Sequence, residues 1–491
     1  VPDITNVQVQ INTEAPGYSP LEVEQRITYL VELAITGLPY VEETRSLSRY
    51  ALSQVTVVFE KGTDIYFARN LINERLQQAK SEMPAGIEPV MGPVATGLGE
   101  IFHYVVSAEP DARQENGEPY DATALRTLQD WVIRPQLRLV PGVTEINTIG
   151  GFEKEFHITP DPASLLAYGL TFDDLVEALP KNNANVGAGY IEKNGEQYLI
   201  RAPGQVSDIA AIEAVIVTYR DSVPVTIGDL AQVGFGKQLR TGAATLDGEE
   251  TVLGTAVMLL GANSRTVSEA VSEKLVEINK TLPDGVSAKP VYNRTVLVDK
   301  TISTVQTNLL EGAVLVVIVL LMMLGNVRAA LLTAMVIPLS MLMLITGMVE
   351  TKVSANLMSL GALDFGLIVD GAVIIVENCI LRLAERQHHL GRILKLDERL
   401  QTVFAATREV FTPSLISVLV VILVNLPILA LTGVEGKMFT PMALAVIMAL
   451  VSALILSLTF VPAAVALLLT GRIEEKDNAI VRTAKRLYLP T

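Results

Sequence analysis

The sequence predicts a two-part protein. An α+β soluble region of repeated β-α-β-β-α-β units, with a subdomain inserted in the second, is followed by an all-α polytopic membrane bundle. Three observations carry this reading. Hydropathy divides the 491 residues near position 305: residues 1–305 are patterned like a water-soluble chain, and 306–470 are apolar runs. The soluble part repeats a phrase of helix, Pro/Gly turn and strand. Finally, the segment A-N-L-M-S-L-G-A-L-D-F-G-L-I-V-D-G-A-V-I-I-V-E-N-C-I-L-R-L (355–383) is apolar enough to cross a bilayer yet carries Asp364, Asp370 and Glu377.

Ser19 and Pro20 have the residue types of a helix N-cap and first position, and predict a helix over 20–35 that ends at Gly37-Leu38-Pro39. Strands are expected at 41–48 and, from the alternating pattern, at 53–59. A second helix is expected over 64–82, ended by A-K-S-E-M-P-A-G-I-E-P (79–89). A similar phrase, I-N-K-T-L-P-D-G-V-S-A-K-P (278–290), recurs late in the soluble region, and G-L-P-Y-V-E-E-T (37–44) has its counterpart in V-P-G-V-T-E-I-N (140–147). These repeats place a first unit at 1–97 and a second split between 98–149 and 240–297. The inserted subdomain is 150–239, with strands at 154–158, 186–191 and 197–202 and helices at 162–168 and 171–179. Asn194-Gly195 between two of those strands reads as a tight hairpin.

The bundle is expected at 305–470, with about five helices in the runs 309–324, 329–348, 355–381, 411–432 and 439–469. Loop 382–410 carries Arg382, Arg386, Arg392, Lys395, Arg399 and Arg408, and the tail 471–491 carries five more basic residues. The alternate connections hold only Lys352 and Lys437. The positive-inside rule therefore puts that loop and the tail in the cytoplasm, and residues 1–305 on the outer face, which is the periplasm of a Gram-negative cell. The start at V-P-D-I-T-N, without Met, and the end at R-L-Y-L-P-T predict a fragment.

Composition narrows the function. The net charge of −15 argues against nucleic acid. Neither G-x-G-x-x-G nor a Walker loop occurs, so no nucleotide site or other cofactor is expected. The four histidines include no zinc-binding spacing, and Cys379 has no partner for a disulfide.

The acidic span points to ion coupling. An Asp at the centre of a membrane helix costs roughly 2.5–3.5 kcal/mol on insertion scales, so three acids in one span should face a bundle interior or a wet path. Asp370 and Glu377 are about 10.5 Å apart along a helix and within about 20° of one face; Asp364 lies about 9 Å before Asp370, turned by roughly 120°. Gly361, Gly366 and Gly371 let another helix approach closely. Two other readings of the residues stand beside this one: acids that only join helices, and acids that line a channel.

The run D-F-G-L-I-V-D-G-A-V-I-I-V-E-N (364–378) resembles the fourth transmembrane helix of the heavy-metal efflux subfamily of resistance–nodulation–division (RND) pumps, and is most similar to the cobalt–zinc–cadmium exporters. R-L-A-E-R-Q-H-H-L-G-R (382–392), Q-I-N-T-E-A-P-G-Y-S-P (10–20) and S-L-S-R-Y-A-L-S-Q-V-T-V-V-F (46–59) point the same way. The resemblance implies a proton-driven antiporter rather than an enzyme. It also implies a homotrimer in the inner membrane, working with a periplasmic membrane-fusion adaptor and an outer-membrane channel. The α+β units would be porter units and 150–239 a docking subdomain. Asp364, Asp370 and Glu377 would be required for proton-coupled export, with a basic partner supplied by a later helix outside this chain. The cargo would be divalent zinc, cobalt or cadmium; Cu(I), Ag(I) or organic drugs are the alternative. Met83, Met91 and Met258 are scattered, and soft thioethers are what monovalent copper and silver prefer. Glu100, after Gly97-Leu98-Gly99, resembles a porter-domain glutamate that helps bind zinc in relatives; His103 is a weaker candidate, since strand alternation pairs it with Ile101.

Overall fold

Strand β1 (Val7–Glu14) buries Val9, Ile11 and Thr13 and turns the residues between them outward, the period-two pattern of a half-buried strand. The computed structural model describes residues 4–202, 204–240, 242–324, 326–351, 353, 359 and 365–471. Contacts divide the chain into two units, Val1–Leu98 with Thr295–Thr491, and Gly99–Arg294.

In the first unit, β1 is followed by a helix in three pieces. Ser19 caps α1 (Pro20–Val23), accepting from the Glu22 amide, while Glu22 accepts from the Ser19 amide at 2.9 Å. A π segment, Glu24–Thr28, then leads into α2 (Tyr29–Ile35). The buried Thr28 hydroxyl in that segment bonds those of Ser48 (2.8 Å) and Ser53 (2.7 Å). Next come β2 (Val41–Arg49), β3 (Leu52–Phe59), α3 (Ile65–Ala79) and β4 (Pro89–Met91). The sheet runs β2-β3-β1-β4, and Ala68, Ile72 and Leu76 of α3 pack at four-residue spacing on Val55, Val57 and Phe59.

The second unit opens with β5 (Glu100–Ala108), α4 (Ala122–Leu128), another π segment (Gln129–Ile133) and α5 (Arg134–Leu137). Then β6 (Val143–Ile149) pairs with β14 (Glu249–Met258), which also pairs with β5 and with β13 (Ala244–Leu246); β15 (Val286–Asn293) lies on the other side of β5. Helix α10 (Ser264–Asn279) covers this sheet with Val267, Val271, Leu275 and Ile278.

Between β6 and β13 the chain makes a long excursion. It leaves along β7 (Lys154–Pro160) and returns along β12 (Ala231–Lys237), paired antiparallel from Lys154↔Lys237 to Pro160↔Ala231. Beyond this ribbon lie α6 (Pro162–Tyr168), α7 (Phe172–Asn182), a hairpin of β8 (Val186–Lys193) and β9 (Glu196–Ala202), α8 (Ile209–Glu213), β10 (Ile216–Arg220), β11 (Val223–Thr226) and α9 (Ile227–Leu230). Leu175, Ile212, Val225, Ile227 and Leu230 form a small core of their own. The hairpin turn is Asn194-Gly195, both at positive φ. Hydroxyl donors of Ser164 and Thr171 hold the capping carboxylates Asp161 and Asp174 below the usual carboxylate range.

The bundle departs from the sequence expectation at its edges. Helix α11 (Arg294–Leu324) starts eleven residues before position 305, because no glycine or proline interrupts the polar stretch ahead of the apolar run. The run at 329–348 is two helices, α12 (Val327–Ala334) and α13 (Val336–Glu350). Most of loop 382–410 is helical: α14 (Phe365–Leu390) continues past the apolar run, and α15 (Leu396–Asn425) begins before the next. Their charged ends are good helix formers, so only 391–395 connect them. The last run divides at Thr459 into α16 (Gly433–Leu458) and α17 (Phe460–Leu468). Among the described residues, four helical stretches are long and apolar enough to cross a membrane: Arg294–Met322, Val327–Glu350, Leu396–Ala430 and Gly433–Leu468.

The junction before the excursion is tightly packed. Gly151 has φ +65°, and an added Cβ would meet the Ala122 carbonyl oxygen at 2.6 Å and Val252 Cγ2 at 2.9 Å. Gly151→Ala should destabilise this unit by about 2–4 kcal/mol, from left-handed strain and overpacking together. Thermal unfolding of the purified protein checks this; an unchanged midpoint would contradict the steric account.

Candidate functional site

Helix α14 sorts its residues by face. Phe365, Ile368, Ala372, Ile375, Cys379 and Leu383 are buried, and recur at three- and four-residue spacing. Asp370 and Glu377 lie on the opposite side and are exposed. Within this chain the acids do not face the interior formed by the described helices, which leaves the expected bundle interior or wet path to whatever covers that face. Packing of the apolar stripe sets the azimuth of the helix and turns the carboxylates out. Among the described residues neither carboxylate makes an ion pair. Asp364, the third acid, lies outside the described residues, as does Gly361.

Gly371 sits at a close approach between helices. A Cβ there would lie 3.2 Å from Ser414 Oγ of α15 and 3.6 Å from Ser457 Oγ of α16. Gly366 is exposed. Cys379 is buried against α15, with its sulfur 3.8 Å from Thr407 Oγ1 and 4.0 Å from the Val403 carbonyl.

Directly after Glu377, α14 is tied to α15 by polar groups. Asn378 Nδ2 donates to the Ala406 carbonyl (2.7 Å) and to Glu409 Oε2 (3.2 Å). Arg382 donates from Nε to Glu409 (3.0 Å) and from Nη1 to Glu385 (2.9 Å). The i,i+3 spacing of Arg382 and Glu385 was visible in the sequence; the pairing across helices was not.

The second candidate location is β5. Glu100 opens the strand and is exposed. His103 is half-buried: its Nδ1 is 2.9 Å from Thr255 Oγ1 and its ring lies 5.1 Å from that of Tyr292. Its neighbours thus come from β14 and β15, and no hydrogen bond joins it to Glu100. Among the described residues no three His, Cys, Asp or Glu side chains are grouped to hold a metal ion.

The AcrB/AcrD/AcrF family pattern matches residues 1–491. The chain belongs to that family. Within it, the chain is 63% identical over 481 residues to Protein HelA of Legionella pneumophila, covering 98% of this chain and 46% of that protein. It is 60% identical over 490 residues to the cobalt-zinc-cadmium resistance protein CzcA of Cupriavidus metallidurans, covering 100% and 46%. The cation efflux system protein CusA of Escherichia coli K12 is 34% identical, with 100% of this chain and 47% of that protein covered. The chain thus spans about half the length of these curated relatives. A crystal structure of a heavy metal efflux pump superimposes with a TM-score of 0.85 at 32% identity, over 99% of this chain and 45% of that one. The family match covers the acidic helix and the α+β units alike, so the resemblance drawn from 364–378 extends over the whole chain.

Two carboxylates on one face of a buried-stripe helix can bind and release protons, and a change in what covers that face alters their affinity for them.

Proposed function

We propose that this chain belongs to the inner-membrane subunit of a proton-driven antiporter that exports divalent heavy-metal cations, zinc, cobalt or cadmium, and that it carries the ion-coupling helix. The observation that carries the reading is the pair Asp370 and Glu377, aligned on the uncovered face of a long helix. An acidic face cannot be left against hydrocarbon, so further helices or a wet path must cover it. In this reading Asp364 is the third proton-coupling acid, and a basic group on a covering helix alternates with protons as its partner. The protein acts in the Gram-negative inner membrane as a homotrimer, with a periplasmic membrane-fusion adaptor and an outer-membrane channel. The α+β units are its porter units and 150–239 its docking subdomain. It is a secondary transporter; the metal is cargo. The identity with a cobalt-zinc-cadmium resistance protein supports the divalent cargo.

In the complete protein, Asp370→Asn should reduce metal-driven proton flux in proteoliposomes to background while trimer assembly is retained. Wild-type flux in that variant would end the antiport reading.

Glu100 is proposed as one of the metal ligands, with the others lying outside this chain. Glu100→Gln in the complete protein, expressed with its adaptor in a pump-deficient host, should lower protection against zinc, cobalt or cadmium. Unchanged protection would return Glu100 to an ordinary solvated acid, and protection against copper or silver alone would overturn the divalent cargo.

The buried Cys379 should be silent to thiol reagents in the native protein. With a membrane-impermeant reagent on whole cells, Asn116→Cys should label and His388→Cys should not. The reverse pattern would invert the proposed direction of transport.

A further inference from the structure

A cavity of about 460 Å³ opens between α14 and α15, one to three turns beyond Glu377, lined chiefly by Arg382, Glu385, Arg386, His389, Glu398 and Glu409. Six of its ten lining residues are titratable, and its lining contains no large apolar side chain. A space of this size and polarity holds water. Its upper rim is the Asn378–Glu409–Arg382–Glu385 chain of hydrogen bonds. Asn378 is the residue next to Glu377, and Glu385 lies about 12 Å further along the helix and about 80° round it. The cavity is therefore adjacent to the end of the acidic face and lies on the side that the positive-inside pattern assigns to the cytoplasm.

We propose that this cavity is the cytoplasmic outlet for the protons carried by the acidic helix, with Glu409 and Glu385 as the groups that pass them on. The proposal deepens the antiport reading and rests on it. Arg382 serves two carboxylates at once, so one of them can take up a proton while the other keeps the guanidinium paired; a one-to-one ion pair would leave a bare cation at that step. The step balances simply. The O–H bond of protonated Glu377 breaks to water, an O–H bond forms at Glu409 or Glu385, and that proton then leaves through cavity water to the cytoplasm. Both carboxylates are restored and no other reactant is needed. The groups facing Glu409 are Asn378 and Arg382 across the interface. Glu385, Arg386 and His389 of α14 line the same cavity, as does Glu398 of α15, which is held in turn by both Arg392 nitrogens at 2.7 and 2.9 Å. Helix α16 carries titratable groups only at its N-terminal end, Glu435 and Lys437, and α17 carries none.

Two variants of the complete protein in proteoliposomes test this, with zinc as the cargo. Ala405, on the cavity wall, is exposed and can be enlarged: Ala405→Trp should cut proton flux about tenfold, with zinc affinity by calorimetry unchanged. Glu409→Gln keeps the shape and the hydrogen bond from Asn378 but removes the charge. It should shift the dependence of flux on cytoplasmic-side pH by about one unit, a tenfold change in proton affinity, and leave the dependence on outer pH in place. A merely structural role for Glu409 would lower the yield of folded trimer without moving that profile. Wild-type flux in Ala405→Trp together with a wild-type pH profile in Glu409→Gln would overturn the outlet. Asp370→Asn, run in parallel, separates the two levels: if it abolishes flux while both cavity variants behave as wild type, antiport stands and this route falls.

Discussion

A carboxylate cannot be left facing hydrocarbon, and the bundle is arranged around that constraint. One stripe of α14 is apolar and close-packed, and the opposite stripe carries Asp370 and Glu377. The packed stripe includes Gly371, against which α15 and α16 bring serine hydroxyls to within a methyl group's reach. The closer those helices come, the more firmly the acids are aimed away from them. Position on the helix circumference, rather than any strained backbone, is what the sequence specifies here.

The same helix is held by two kinds of contact that differ in how they respond to change. The apolar stripe is insensitive to charge. The Asn378–Glu409–Arg382–Glu385 chain responds to every proton that reaches it, because each of its links involves a carboxylate. A helix fixed by the first and biased by the second can change its local electrostatics without unpacking. The soluble units show a comparable arrangement at smaller scale: each first helix contains a π segment, at Glu24–Thr28 and Gln129–Ile133, where a buried polar side chain reaches a strand. Such bulges accommodate one extra residue in a helical turn and are frequent at functional places.

Much of the local structure was legible because strong local signals carried it. Ser19-Pro20 opened a helix, Asn194-Gly195 turned a hairpin, and the apolar runs became helices. The readings at 154–158, 162–168 and 171–179 also lie on elements of matching type. What escaped had weak or non-local causes. Strands β10 and β11 are short, and β12 carries glycine and finds its partner β7 only across the chain. The ends of α11, α14 and α15 were placed too tightly around the apolar residues, since hydropathy measures contact with lipid and helix propensity does not stop there. At the candidate site, the shared face of Asp370 and Glu377 followed from a seven-residue spacing. The side they face within this chain depended on the packing of residues around them, which no spacing reveals. The tie from Asn378 and Arg382 to Glu409 joins positions about thirty apart and had no sequence signal.

The two-strand ribbon of β7 and β12 has a consequence for how this protein can vary. The excursion leaves the second sheet and comes back at neighbouring points, fixed by the pairing of Lys154 with Lys237. The host sheet therefore sees only a closed gate, and the entropy of holding that gate shut grows only logarithmically with whatever is strung between its posts. The segment beyond Pro160 and before Ala231, with its own small core, can lengthen, shrink or change its surface at little cost to the sheet that bears it. Evolution can in this way reshape a whole surface of the second unit and leave the sheet that carries it untouched.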